Sequence, residues 1–273
     1  MTANAVKKRM NRLVENGTIH SFDVYLSHTM ANLRSYMAII ETEGTHHEKE
    51  MLEQIVKNPH VFSAGLVSDS ACIVFAQYDR SIKSQIFEEF LREIVGVRDI
   101  EIHTERTSDG SRVEFTPLQL RVLHQLLEDA RMPVRIIAEK TGLTPRRIRR
   151  ILKQLVECGG LMFVARYNLN VGTGITYYAQ IYWNSDSADF NQIDSWLDKE
   201  FPGKYYDSHV SASAPMILSV FVLNHLKDAE ILSQQICLNP VIKSVRTLFP
   251  FPARKNVRVQ RVKLEELLKK HQC

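Results

Sequence analysis

Four arginines and a lysine crowd one short stretch of the chain: Arg146, Arg147, Arg149, Arg150 and Lys153. Wound as a helix, this stretch gathers Ile148, Ile151, Leu152 and Leu155 within about a 100° arc, and the five cations fill the opposite side. Guanidinium groups match phosphate oxygens and the major-groove edge of guanine, often with two parallel hydrogen bonds. A helix that is merely solvated usually mixes signs, whereas this face holds five cations and no acid. Its expected partner is double-stranded DNA. Thr144, just ahead of the cations, belongs to the same face as the residue that caps the helix.

Two smaller groups could do similar work. Lys7, Lys8 and Arg12, with Arg9, lie away from Val6, Met10 and Leu13 on another amphipathic basic helix. Arg166 lies in the strand-like run Leu161–Tyr167 and could meet the phosphate backbone; its neighbour Tyr167 could do that or pack.

Other chemistry finds little support. The ten histidines form no clear constellation; His46-His47 lies at a helix start and His209 on a strand. There is no catalytic pair of carboxylates, nucleophile elbow or phosphate loop. Cys72, Cys158, Cys237 and Cys273 are far apart, which suggests neither a disulfide framework nor a zinc site. The expectation is no catalytic residue, no metal, no cofactor and no enzyme. The polar N-terminus is unlike a signal peptide, and no apolar run approaches the ~18 residues that span a bilayer. A cytoplasmic protein without membrane contact is expected. Net charge is only +4, so the position of the charge matters more than its sum.

The basic helix needs a frame, and Thr116–Gly159 supplies it as a helix-turn-helix. Thr116-Pro117 opens a first helix, with Leu120, Val122, Leu123, Leu126 and Leu127 as its apolar stripe. Met132-Pro133 ends the connection, and a short helix follows over Val134–Lys140. Thr141-Gly142-Leu143 is a tight turn, and Thr144-Pro145 starts the basic helix. Ala138 lets two helices cross closely, Gly142 can take a positive φ, and Ile148 packs the third helix on the second. The run after Gly159-Gly160 reads as the strand of a wing, with Asn168–Asn170 following.

A shift of 142 residues aligns two stretches without gaps: Thr2 falls on Thr144, Val6 on Ile148, Gly17 on Gly159, Tyr25 on Tyr167 and Tyr36 on Tyr178. This reads as two copies of one two-domain unit. Phe115–Leu143 has no counterpart before Met1. Either the first copy has lost two helices or the true start lies upstream.

After each helical part the pattern is strand, helix, strand, strand, helix, strand. In copy one these are Leu33–Thr42, His46–Lys57, Val61–Val67, Ala71–Tyr78, Ser81–Val95 and Val97–Thr104. In copy two they are Ile175–Asn184, Phe190–Phe201, Lys204–Ala212, Met216–Asn224, Leu226–Leu238 and Val241–Phe249. That order indicates a ferredoxin-like α+β sandwich. One face of each sheet takes the helices, so the other needs cover, most simply from a second such sheet. The fold class expected is therefore α+β, with winged helix-turn-helix domains alternating with ferredoxin-like (βαββαβ) domains. The domains expected are a truncated winged helix-turn-helix (1–32), a ferredoxin-like domain (33–106), a complete winged helix-turn-helix (107–174), a second ferredoxin-like domain (175–253) and a basic tail (254–273). Thr107–Ser111 is a polar linker, and the tail ends in a helix over Lys263–Lys270.

The chain resembles the Lrp/AsnC family of prokaryotic, especially archaeal, transcriptional regulators. The residues that carry the resemblance are Leu123…Leu127-Glu-Asp-Ala-Arg-Met, Ile136-Ile-Ala-Glu-Lys-Thr-Gly-Leu-Thr, Leu155-Val-Glu-Cys-Gly-Gly-Leu and Val6…Arg9-Met-Asn-Arg-Leu-Val-Glu-Asn-Gly-Thr-Ile. It implies a winged helix-turn-helix that binds DNA, and a ferredoxin-like response domain, often called RAM, that dimerises and binds an amino acid between subunits. Ser68, Asp69, Ser211 and Ser213, in the loops between the middle strands, are the residues it offers for a small-molecule effector. The tandem arrangement, the short first copy and the missing glycine-plus-Tyr-Asp signature in those loops depart from the family pattern.

The expected function is a sequence-specific transcriptional regulator acting as a homodimer or higher homo-oligomer, with one complete reading head per chain. Two alternatives stay open: a sirohaem-decarboxylase-like enzyme of the same fold, and a protein-interaction module that has lost DNA binding.

Overall fold

The computed structural model describes residues 2–44, 48–108, 110–168, 171 and 174–271. His46, His47, Asp109, Leu169 and Asn170, which fall within stretches interpreted above, lie outside the described residues, as does Cys273. In chain order the first half contains α1 (Ala3–Glu15), β1 (Ile19–Leu26), α2 (His28–Ala31), β2 (Leu33–Thr42), α3 (Glu48–Lys57), β3 (Val61–Val67), β4 (Ala71–Asp79), α4 (Ser84–Arg92) and β5 (Val97–Thr104). Then come α5 (Pro117–Leu126), α6 (Val134–Thr141), α7 (Pro145–Glu157), β6 (Leu161–Tyr167), β7 (Ile175–Trp183), α8 (Phe190–Glu200), β8 (Tyr205–Val210) and β9 (Met216–Leu223). The chain finishes with α9 (Lys227–Cys237), β10 (Ile242–Leu248), β11 (Arg254–Lys255) and α10 (Val259–Lys270).

These elements collect into two compact units. Unit one gathers Met1–Leu33, Ser108–Val171 and Val257–Cys273; unit two gathers Arg34–Thr107 and Gly172–Asn256.

Unit one is a winged helix-turn-helix whose wing strand is paired by the start of the chain. Thr116 and Gln119 close a capping box at the head of α5, and Thr144 caps α7 by accepting from the Arg147 amide. Leu120, Leu123, Ile137, Ile148, Ile151 and Leu155 share one buried core with Val24 and Leu26 of β1. The wing strand expected after α7 is β6, and its partner is β1, with which it pairs antiparallel from Leu26 opposite Leu161 to Ile19 opposite Tyr167. The last helix differs from expectation. It begins at Val259 rather than Lys263, and buries Leu264 and Leu268 in that same core.

Unit two holds two ferredoxin-like layers. One sheet runs β11-β3-β4-β2-β5 and the other β10-β7-β9-β8. Period-two alternation sorts the side chains of β2: Tyr36, Ala38 and Ile40 face α3 and α4, while Met37 and Ile39 face the other way. The second layer is built alike, with Tyr177, Ala179 and Ile181 packed on Leu197 of α8 and Leu232 and Ile236 of α9. The remaining faces cover each other: Met37, Ile39, Ile73 and Phe75 join Met216, Leu218 and Leu248 in one cluster. Coverage on both faces explains why β4 and β9 read as nearly unbroken apolar runs. The expected helix Ser81–Val95 shortens to α4, because Asp79 accepts from the Ser81 amide at 3.1 Å and holds a turn there. Among the described residues, no helix is long and apolar enough to cross a membrane.

Candidate nucleic-acid interface

The turn between α6 and α7 sets the aim of the basic helix. Gly142 adopts φ +66°, the left-handed conformation that ends α6, and its amide bonds to the Ala138 carbonyl at 2.9 Å. Ala138 is buried where α6 and α7 meet, and Ile148 is fully buried beneath them. The inner face of α7 is thus fixed, and its outer face is fixed with it.

On that outer face Arg146, Arg147, Arg149 and Arg150 are all exposed. Among the described residues none of the four has an acidic side chain within ion-pairing distance. Lys153 differs, with Glu157 one turn on at 3.9 Å, a long and exposed contact worth little. Thr144 is exposed at the start of the same helix, its hydroxyl engaged as the cap. Four arginines held side by side without counter-charge repel one another. A polyanion removes that repulsion and offers each an acceptor.

Arg166 is placed otherwise. It lies on β6 beside β1, 3.5 Å from the Asp23 carboxylate. Asp23 also accepts from the Tyr25 hydroxyl at 2.8 Å. Burial, and then that hydrogen bond, push the Tyr25 hydroxyl above its ordinary range. Part of the Arg166 charge is therefore answered within the protein. Lys7, Lys8 and Arg12 are exposed on α1, and Thr2 caps this helix by accepting from the Ala5 amide at 3.3 Å.

The four loop residues offered for an effector each engage the opposite layer of unit two. Ser68 accepts from the Phe249 amide at 3.0 Å, and Asp69 meets Arg246 at 2.7 Å. Ser211 lies 3.1 Å from His103 Nδ1, and Ser213 accepts from the Thr104 amide at 3.2 Å. Around His103 lies a polar group that sequence reasoning missed. Glu101 is 3.1 Å from His103 Nε2 and accepts from Gln180 at 2.9 Å and from Tyr182. Glu105 meets His209 at 2.6 Å, and the His209 ring lies 4.4 Å from that of Phe75. Only strand register brings these residues together, and nothing in their spacing along the chain signals it.

Residues 115–159 match a family model described as winged helix-turn-helix DNA-binding. This stretch is a winged helix-turn-helix of DNA-binding type. No curated protein sequence matches the chain. Among solved structures, the siroheme decarboxylase NirDL matches 100% of this chain and 91% of its own, with a TM-score of 0.59 and 13% identity. The same enzyme in co-complex with an iron-uroporphyrin III analogue matches 99% of this chain and 90% of its own, with a TM-score of 0.58 and 14% identity. AsnC of E. coli matches 53% of this chain and 99% of its own, at a TM-score of 0.40 and 15% identity.

The full-length matches correct one expectation. The sequence points to no enzyme, whereas two solved structures that match all or nearly all of its length are those of an enzyme. A fold is a scaffold that hosts more than one function, so the absence of a recognisable catalytic motif was weak ground for that expectation.

Proposed function

We propose that the chain is a transcriptional regulator that reads double-stranded DNA with α7. The observation that carries this is the pair of faces on that helix. Ile148, Ile151 and Leu155 are buried, while Arg146, Arg147, Arg149 and Arg150 are exposed without an acidic partner among the described residues. A recognition helix needs this division, one face locked in the domain and the other offered to the groove. Phosphate contacts supply most of the affinity, and arginine contacts to guanine edges supply sequence preference. Arg166 and the cations of α1 add contacts at the flanks. The division into five segments by duplication, self-association and response to a small molecule belong to the same reading.

The test is retention of labelled duplex DNA by the full chain. Charge reversal at Arg146, Arg147 and Arg150 is expected to lower affinity at least ~100-fold, since removing a phosphate contact also removes its share of counterion release. Retention equal to the unaltered chain rejects the assignment.

A second reading has its own support. The whole-length likeness to siroheme decarboxylase, together with His103 and His209 grouped with Glu101, Glu105 and Ser211 in unit two, favours a tetrapyrrole-binding enzyme. Titration with an iron tetrapyrrole tests it. A shifted visible absorption band that His209→Ala abolishes supports it, and an unchanged spectrum rejects it.

A further inference from the structure

We infer that one chain carries both halves of a two-fold DNA reader, α1 being the counterpart of α7. The inference rests on the DNA-binding reading of α7 and concerns how many groove contacts one chain makes.

The two helices match in length, in cap and in the glycine that follows, although Val6 is 43% exposed where its counterpart Ile148 is fully buried. Each has 13 residues and follows a threonine whose side chain accepts from the amide three positions on, Thr2 from Ala5 and Thr144 from Arg147. Shifted by 142, Lys7 and Lys8 fall on Arg149 and Arg150, Asn4 on Arg146 and Asn11 on Lys153. Gly17 and Gly159, which follow the two helices, both take positive φ, +77° and +70°. Lys7, Lys8 and Arg12 are exposed, and among the described residues none makes an ion pair. Asparagine suits the edge of adenine as arginine suits guanine, so Asn4 and Asn11 give α1 a groove-reading face of its own.

The ribbon between them has a dyad. Phe22 pairs with Ala165 and Asp23 with Val164. Under the same shift Phe22 is equivalent to Val164 and Asp23 to Ala165. Each residue therefore faces the counterpart of its neighbour, which requires a local two-fold axis through the middle of β1 and β6. That axis relates the strand that follows α1 to the strand that follows α7. It also sets the two helices apart, because α1 enters the ribbon at the Ile19–Tyr167 end and α7 at the Leu26–Leu161 end. Eight residues at ~3.3 Å rise make a ribbon of about 25 Å. The two helices therefore join opposite ends of a ribbon about 25 Å long. Successive major grooves on one face of DNA lie ~34–36 Å apart. Arg131, from the connection between α5 and α6, holds α1 in this frame: its guanidinium contacts Met10 Sδ and lies 4.9 Å from the centre of the Phe22 ring.

A single chain therefore spans two half-sites one helical turn apart. The site is asymmetric, with arginines reading one half and asparagine and lysine the other.

Hydroxyl-radical footprinting of the full chain on a selected duplex, with stoichiometry from sedimentation, tests this. The expected result is two protected patches about one turn apart with one chain bound. Lys7→Glu with Lys8→Glu is expected to erase one patch, lower affinity ~10–100-fold and reduce the salt slope by about two. Both positions are exposed on the outer side of α1, and circular dichroism verifies that the variant stays folded. An unchanged footprint and affinity in that variant, or a second patch that appears only with a second chain, overturns the inference. Arg149→Glu with Arg150→Glu separates the two levels: loss of the other patch with weakened affinity supports the reading of α7, and an unchanged footprint and affinity there overturns that reading itself.

Discussion

The side-chain amide of Gln260 donates to the Leu26 carbonyl across 2.8 Å, in a place where Gln260 is fully buried. This hydrogen bond joins α10 to β1, elements separated by most of the chain. Arg261 extends the tie to the Leu127 carbonyl at 2.6 Å, and Lys263 to the Ala31 carbonyl at 2.6 Å. The cations of the tail are thus used partly as donors to backbone that would otherwise be unsatisfied. Leu264 and Leu268 bring the apolar part of the interaction.

Leu264→Ala should therefore destabilise unit one by about 2–5 kcal/mol, the usual range for truncating a buried leucine. Thermal unfolding checks this. The first transition should fall by several degrees, and DNA retention should fall with it at temperatures near that transition. A melting curve identical to that of the unaltered chain would place α10 outside the cooperative core.

Gly142→Ala tests the turn that aims α7. At φ +66° an alanine Cβ is strained by roughly 1–2 kcal/mol, although the nearest atom to such a Cβ is the Arg121 guanidinium at 3.9 Å, an ordinary separation. The expected destabilisation is modest and arises from the backbone alone. A valine there should cost more than an alanine, because a branched side chain is disfavoured further in this conformation. Paired melts of the two variants give the order.

Glu101 gives unit two a dependence on acid. Burial alone would raise its carboxyl, but hydrogen bonds from His103, Tyr182 and Gln180 outweigh burial and hold it below the ordinary 4.5. A carboxyl held low stabilises the folded state at pH values above 4.5, and this contribution disappears as pH falls through the depressed value. Melts at pH 6 and pH 3.5 should show a drop that Glu101→Gln reduces. An equal drop in both proteins would mean that other carboxylates carry the acid response.

Much of this architecture is legible in the sequence because it is local. Thr116, Gly142 and Thr144 act within a few residues of themselves, so their roles follow from spacing. The alternation of Tyr36, Met37, Ala38 and Ile39 likewise announces a strand with two covered faces. What escapes is non-local. The pairing of β1 with β6 depends on residues 142 apart sharing an axis, which alternation along one strand cannot reveal. The early start of α10 at Val259 escapes for a related reason: Gln260 looks like a surface residue until Leu26 is placed beside it. At the interface, the exposed arginines of α7 are readable from helical periodicity, whereas the Arg166–Asp23 pair and the group around His103 are products of register.

The central claim is that α7 meets DNA through its arginines. The most direct measurement is the dependence of affinity on salt for the unaltered chain and for the Arg146, Arg147 and Arg150 charge reversal. The four arginines of α7 should give a slope of log K against log salt of up to about −3.6, at ~0.9 for each one that meets a phosphate, and steeper with help from α1. The variant should bind at least ~100-fold more weakly with a slope shallower by up to about three. An unaltered chain whose binding ignores salt, or a variant with unchanged affinity and slope, would contradict the account.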